Sequence, residues 1–291
     1  MRNSGKILLC SDLDRTIIPN GHAAESPGAR ALLGRVARRP ELTLVYVTGR
    51  DEALIAQALR EWNLPLPEVA VGDVGTAIFD VGGTAEAPVF TPWTDWQEII
   101  AADWQGKKNA DLAAMLADFD MLRLQEPEKQ KDFKLSFYVD SGAAMGRLAE
   151  DIRRHLEKPG IRASVIISMD EMADVGLVDI VPAGATKVDA IYHIARNHRV
   201  DESRVVFAGD SGNDLAALTS GLNAVLVKNA ADEVRSQALA ESSRKKTDGR
   251  LYLAKGEFLG MNGNYAAGVL EGLAHFMPET ERWMQQPDPQ G

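Results

Sequence analysis

The sequence predicts an α/β fold: a doubly wound parallel sheet interrupted by a smaller α+β segment. Two observations carry this. At both ends of the chain, short, continuously apolar runs alternate with helix-patterned stretches, as in a parallel sheet covered on both faces. In the middle the pattern becomes a strictly alternating strand, apolar on one side and polar on the other, as where a sheet leaves one face open.

Ile7-Leu8-Leu9-Cys10 reads as the inside of a buried strand over 6–11. Leu32, Leu33 and Val36 mark a helix over 28–39, and LTLVYV (42–47) is a second buried strand, rich in β-branched and aromatic residues. A helix over 51–62 sets Leu54, Ile55, Ala58, Leu59 and Trp62 on one face. Trp93, Trp96 and Trp104 lie in a helix-like stretch over 92–104. FKLSFYV (133–139) then alternates, with Phe133, Leu135, Phe137 and Val139 on one face and Lys134, Ser136 and Tyr138 on the other. A helix carrying Met145, Leu148, Ile152 and Leu156 and a strand, ASVIIS, follow it. The first pattern returns with RVVFAGD (204–210) as strand, NDLAALTSG (213–221) as helix, NAVLVKN (223–229) as strand and 231–240 as helix. The expected division is a core of 1–86 and 183–277, an insert of 87–182, and a disordered tail of 278–291 containing QQPDPQG.

The chain has 291 residues, 45% of them hydrophobic, enough for two domains. With 32 Lys and Arg against 42 Asp and Glu, the formal net charge is −10, which argues against nucleic acid or an anionic membrane as partner. The basic run Arg244-Lys245-Lys246 reads as a solvated loop. One cysteine, Cys10, excludes an intrachain disulfide and fits a reducing compartment. Four consecutive apolar residues precede Ser11 and Asp12, too few for a signal peptide, and no run of about 20 apolar residues exists to span a membrane. A cytoplasmic protein is expected. His22, His155, His193, His198 and His275 form no pair at helical ligand spacing, so zinc is not expected.

Four short pieces could converge. They are Asp12-Leu13-Asp14-Arg15-Thr16, Thr48-Gly49-Arg50, Lys187, and Gly209-Asp210-Ser211-Gly212-Asn213-Asp214. Three follow predicted strands, and in an open parallel sheet ligands sit beyond the strands' carboxyl ends. Residues i and i+2 of a strand share a face roughly 6–7 Å apart, so Asp12 and Asp14 would repel unless a dication sat among them. Asp12, Asp14 and Asp210 are hard oxygen donors suited to Mg²⁺. Thr48 and Gly49, at a strand–helix junction, suit an anion, and Lys187 adds positive charge. A carboxylate facing a phosphate monoester can attack phosphorus, while a second carboxyl protonates the leaving alkoxide and then activates water.

These motifs resemble those of the haloacid dehalogenase superfamily: DLDRT its first, VTGR its second, Lys187 its third and GDSGND its fourth. VGDVGTAIF (71–79), DWQEII (95–100), FKLSFYVD (133–140), VDIVPAGATK (178–187) and YAAGVLEGLAHF (265–276) resemble the sucrose-phosphate phosphatase family in order and spacing. The resemblance implies a Rossmann-like core and makes the insert a substrate-specificity cap. It implies that Asp12 is the nucleophile, and that Asp14 is the general acid/base whose backbone carbonyl also touches Mg²⁺. Thr48 and Lys187 would bind the phosphoryl group, and Asp210 the metal, supported by Ser211, Asn213 and Asp214. Arg15 departs from the pattern, standing where Asn or Gly is more usual.

The implied substrate is a phosphorylated disaccharide, sucrose 6-phosphate first, with mannosylfructose phosphate and glucosylglycerol phosphate as alternatives. A phosphomutase and a non-catalytic partner of a sugar-phosphate synthase are the other readings. A monomer is expected, with association with such a synthase as a further possibility. Lys134 and Ser136, on the polar strand face, are expected to point at the sugar. Gly75 and Thr76 are expected to form the hinge on which the cap swings.

Overall fold

The computed structural model describes residues 5–140, 145–170 and 174–286. The chain divides into two compact units, Met1–Pro92 with Lys187–Gly291, and Trp93–Thr186.

The first unit opens with β1 (Ile7–Ser11), α1 (Ala29–Ala37), β2 (Leu42–Val47), α2 (Glu52–Glu61), β3 (Val69–Gly72), β4 (Ala77–Gly83) and β5 (Pro88–Pro92). The second unit holds α3 (Thr94–Ala101), α4 (Asn109–Met115), β6 (Arg123–Leu124), β7 (Leu135–Asp140), α5 (Met145–Glu157), β8 (Ala163–Asp170) and β9 (Val175–Pro182). The chain returns with α6 (Lys187–Asn197), β10 (Val205–Gly209), α7 (Leu215–Leu218), β11 (Asn223–Leu226), α8 (Asp232–Lys245), β12 (Leu251–Leu253), α9 (Ala266–Phe276) and α10 (Glu279–Gln285).

The first unit is an eight-stranded sheet in the order β12-β11-β10-β1-β2-β3-β4-β5, parallel from β12 to β3, with β4 and β5 antiparallel at one edge. This is the doubly wound, Rossmann-like α/β fold. From β1 the chain runs outward through β2 and β3, and it returns on the other side through β10, β11 and β12. The reversal therefore falls at β1 and β10, where such sheets bind ligands. Every residue of β1, β2, β3, β10 and β11 is buried. Ile7 and Leu9 pack with Leu33 and Val36 of α1 and Leu270 and Leu273 of α9, while Leu8 and Cys10 are equally buried on the opposite face. Each such side chain contributes about 1.5–3 kcal/mol by leaving water. Burial also pushes the Cys10 thiol far above its ordinary value.

Several expectations are corrected here. Residues 278–291 do not form a disordered tail through their described part. Glu279–Gln285 is helix α10, with Met284 and Thr280 buried, Arg35 donating to the Met284 carbonyl, and Arg204 pairing with Glu279; residues 287–291 lie outside the described residues. β5 pairs with β4 and so belongs to the first unit, beyond the boundary expected at 87. Gly75 and Thr76 lie in the turn joining β3 to β4 inside one sheet, and residues 73–75 of that turn pack against α6, which opens at Lys187 where the chain re-enters the first unit. Gly75 has φ 113, and the Thr76 hydroxyl donates to the Asp73 carbonyl, so the turn geometry by itself calls for a glycine here. Arg244 and Lys245 close α8 rather than forming a loop, both paired with Glu241 at a helix end that favours cations.

The second unit is a four-stranded sheet in the order β6-β7-β9-β8, antiparallel throughout. Leu135, Phe137 and Val139 pack on one face with Leu148, Ile152 and Leu156 of α5, Leu112 of α4, and Trp104. On the other face stand the two residues expected to point at the sugar. Ser136 has no exposed surface, and its hydroxyl donates to Asp179 Oδ1 at 2.5 Å, its direct cross-strand partner. Lys134 Nζ stands 3.9 Å from the same oxygen. Both groups thus face the Asp179 carboxylate of β9, Ser136 in a made hydrogen bond and Lys134 at the edge of ion-pair range. No described helix is long and apolar enough to cross a membrane.

Candidate active site

The register of the parallel strands assembles the site. Ser11, the last residue of β1, lies level with Tyr46 of β2 and Ala208 of β10. One step on, Asp12 leaves the sheet with its amide still donating to the Ala208 carbonyl. Thr48 and Asp210 leave the neighbouring strands beside it. Lys187 comes from the first residue of α6.

Asp12, Asp210 and Asp214 are all buried, and one carboxylate oxygen from each lies within 4.8 Å of the others. Lys187, 5% exposed, places Nζ 2.9 Å from Asp12 Oδ1 and 2.7 Å from Asp214 Oδ1, and donates to Asn213 Oδ1 at 3.2 Å. Asp214 Oδ2 accepts from the amides of Asp210 and Ser211 and from the Ser211 hydroxyl. Both Asp214 oxygens are therefore occupied, and this residue fixes the loop and the lysine. Gly209 is required by the same packing, because a Cβ there would lie 2.6 Å from Asp214 Cγ.

Asp210 is held less completely. Thr16 donates to Oδ1 at 3.3 Å. Oδ2 is buried with no hydrogen-bond partner, although Arg15 Nε is 3.3 Å away. A buried, unsatisfied carboxylate oxygen beside two further carboxylates is a donor set that fits Mg²⁺. Burial and then Asp214 push the Asp210 carboxyl up to about 6, against Arg15 and Thr16. Burial likewise raises Asp12, with Lys187 opposing. Burial works against the Lys187 charge too, but Asp12 and Asp214 outweigh it and hold the ammonium above its usual range.

Asp14 is not part of this cluster, which corrects the expectation that its side chain faces Asp12 around a metal. β1 ends at Ser11, so the strand alternation does not reach Asp14. Its carboxylate instead meets Arg50, with Nε 2.7 Å from Oδ2 and Nη2 2.6 Å from Oδ1, and accepts from Asn20 Nδ2 at 2.7 Å. Burial raises this carboxyl, but the Arg50 and Asn20 contacts prevail and hold it below its ordinary value.

Thr48 is 1% exposed. Its amide donates to the Val71 carbonyl and its hydroxyl accepts from the Arg50 amide, which leaves the hydroxyl proton to give. The anion seat expected from the helix end is altered, because α2 starts at Glu52 and its first turn is capped by the Asp51 carboxylate, which accepts from Leu54. Sequence reasoning assigned no role to Arg50, Asn20 or Thr16, although Arg50 and Thr16 stood inside quoted motifs.

A buried aspartate–lysine cluster at the reversal point of a doubly wound sheet suits phosphoryl transfer, and together with the family match it marks the chain as a phosphatase of haloacid dehalogenase type. The chain belongs to the sucrose-6F-phosphate phosphohydrolase family, whose model matches residues 5–277. A Nitrosococcus oceani protein described only as a hydrolase of HAD-like type is 52% identical over 96% of this chain and 74% of its own length. Sucrose-phosphatase 1 of Nicotiana tabacum is 24% identical over 95% of this chain, which spans 60% of that relative. The sucrose-phosphatase of Synechocystis, solved with sucrose and phosphate, superposes with a TM-score of 0.69 at 25% identity, covering 95% of this chain and 98% of that one.

Proposed function

We propose that this protein hydrolyses sucrose 6-phosphate to sucrose and phosphate through a phosphoryl group carried on Asp12. The observation that carries the reading is the Asp12–Lys187 contact at 2.9 Å, which holds a buried carboxylate beside a fixed cation at the ligand-binding end of the sheet. Membership of the family supports a phosphorylated sugar as the substrate.

Asp12 attacks phosphorus, and its new oxygen–phosphorus bond forms as the bond to the sugar oxygen breaks. Lys187 and the Thr48 hydroxyl hold the equatorial oxygens and meet the charge that builds there. Asp14, released from Arg50 and protonated from solvent before substrate reacts, gives that proton to the departing sugar alkoxide. It then takes a proton from water, which attacks phosphorus and returns Asp12 as a carboxylate with free phosphate. Asp12 and Asp210 would hold Mg²⁺, with Asp214, Ser211 and Asn213 supporting the loop. When bound, that ion supplies the charge neutralisation that lets a carboxylate approach a phosphate.

Phosphate release is to be measured on sucrose 6-phosphate, mannosylfructose phosphate and glucosylglycerol phosphate, with Mg²⁺ and with excess chelator. The expected result is fastest turnover of sucrose 6-phosphate and loss of turnover in chelator. A faster rate on another glycosyl phosphate overturns the substrate, and full turnover in chelator overturns the metal. A requirement for a bisphosphorylated activator would point to a mutase.

A further inference from the structure

Arg15 has φ 57, in the left-handed region that favours glycine or asparagine. It is held there from both sides. Its amide donates to Asn20 Oδ1 at 2.8 Å, and its carbonyl accepts from Asn229 Nδ2 at 2.6 Å. Backbone outliers of this kind persist where the surroundings enforce them, and they gather at functional sites. Here the enforced residue carries a long cationic side chain, and that side chain turns back to the metal seat.

The charges in the seat leave one carboxylate for it. Lys187 is committed to Asp12 and Asp214 at 2.9 and 2.7 Å. Asp210, the third carboxylate, has its ion pair with Arg15, Nε to Oδ2 at 3.3 Å. The contact is electrostatic rather than a made hydrogen bond, since Oδ2 remains without a partner. The two groups also differ in burial: the Asp210 side chain is 2% exposed and that of Arg15 49%. The guanidinium can therefore swing into water, whereas the carboxylate cannot follow it. Gly21 presents no side chain against Arg15, and even a Cβ there would come 3.6 Å from Nε.

We propose that Arg15 is the resident counter-cation of the metal seat, neutralising Asp210 in the metal-free protein and opposing the entry of Mg²⁺. The inference rests on the Mg²⁺ reading of the site. Two cations beside one carboxylate repel, so the arginine sets how tightly the ion binds, and it also steadies the seat when the ion is away. It is a positioning residue and touches no reacting atom.

The test is calorimetric titration of Mg²⁺ into chelator-treated full-length protein, with thermal unfolding measured with and without Mg²⁺. Arg15→Gln keeps a polar, planar-ended side chain that reaches the Nε position and the same backbone demand but removes charge; Arg15→Lys keeps charge. Arg15→Gln is expected to bind Mg²⁺ about five- to tenfold more tightly, allowing for solvent screening of a half-exposed cation. Its metal-free form should unfold at lower temperature than the natural protein, a gap that Mg²⁺ closes. Arg15→Lys should bind within about twofold of the natural chain. Equal or weaker Mg²⁺ binding by Arg15→Gln overturns the proposal. If that variant instead loses affinity for inorganic phosphate at unchanged Mg²⁺ affinity, Arg15 is a phosphate ligand and the proposal also falls. No Mg²⁺ binding by the natural protein would overturn the metal reading itself.

Discussion

Arg50 grips Asp14 through two parallel hydrogen bonds, Nε to Oδ2 at 2.7 Å and Nη2 to Oδ1 at 2.6 Å. A carboxylate in such a fork is ionised and directed, so it stands ready as a base, and it must leave the fork to act as an acid. Arg50→Lys keeps the charge but loses the planar fork. Turnover of sucrose 6-phosphate should fall by about tenfold, as expected for a mispositioned acid/base that contributes about 10²–10⁴-fold. Nitrophenyl phosphate, whose leaving group needs no proton, should lose less in the phosphorylation step. Equal losses in the two phosphorylation steps, measured by rapid mixing, would count against a positioning role.

The metal-free protein should lose stability as pH rises. Burial holds the Asp12 and Asp210 carboxyls above their ordinary value of 3.8, Asp210 at about 6. The folded chain then keeps protons that the unfolded chain has already released. That contribution is fully present below the unfolded value and is lost as pH climbs through about 6 for Asp210 and about 7 for Asp12. Mg²⁺ competes with those protons, so its stabilising effect should grow over the same window. Thermal unfolding between about pH 4 and about pH 8, with chelator and with Mg²⁺, checks this. Parallel curves would show that the ion does not bind these carboxyls.

Lys187→Met should leave Asp12 and Asp214 buried without their cation. Removing one partner of such a pair costs about 3–5 kcal/mol. The loss should be smaller at acid pH, where protonation relieves the carboxylates, and activity should vanish at every pH. Urea unfolding at two pH values measures it. A loss independent of pH would mean that packing, rather than charge, dominates at Lys187.

Gly209→Ala should displace the Asp214 carboxyl, since its Cβ would fall 2.6 Å from Cγ. Overpacking of this kind costs about 1–3 kcal/mol. Because Asp214 orders the 210–214 loop, stabilisation by Mg²⁺ should weaken as well. Unchanged stability and unchanged Mg²⁺ response would show that the loop can absorb a methyl group.

Much of this was legible in the sequence for a definite reason. The strands of a doubly wound sheet are buried on both faces, so LTLVYV and RVVFAGD announce themselves, and the motif residues follow them in order. What escaped depends on contacts made far along the chain. Helix α10 is short and polar, and it is ordered by Arg35 and Arg204. The alternation of FKLSFYV is legible in the sequence, but the Ser136 hydroxyl is taken by Asp179 across the sheet, a pairing set by register rather than by local pattern. Asp14 was placed by extending a strand that ends at Ser11. Arg15, in the left-handed region just beyond, belongs to the turn in which the direction of the chain changes.

The central claim is that Asp12 carries the phosphoryl group and Asp14 does not. The direct measurement is the pre-steady-state release of nitrophenol from nitrophenyl phosphate by Asp14→Asn and by Asp12→Asn. In Asp14→Asn the nucleophile, Lys187 and Thr48 remain, and the leaving group departs without a proton, so the phosphoenzyme forms. It then waits, because the group that activates water is gone. The account predicts a burst of about one nitrophenol per active site followed by a slow steady state, and no release at all from Asp12→Asn. A burst from Asp12→Asn, or normal steady turnover by Asp14→Asn, would contradict it.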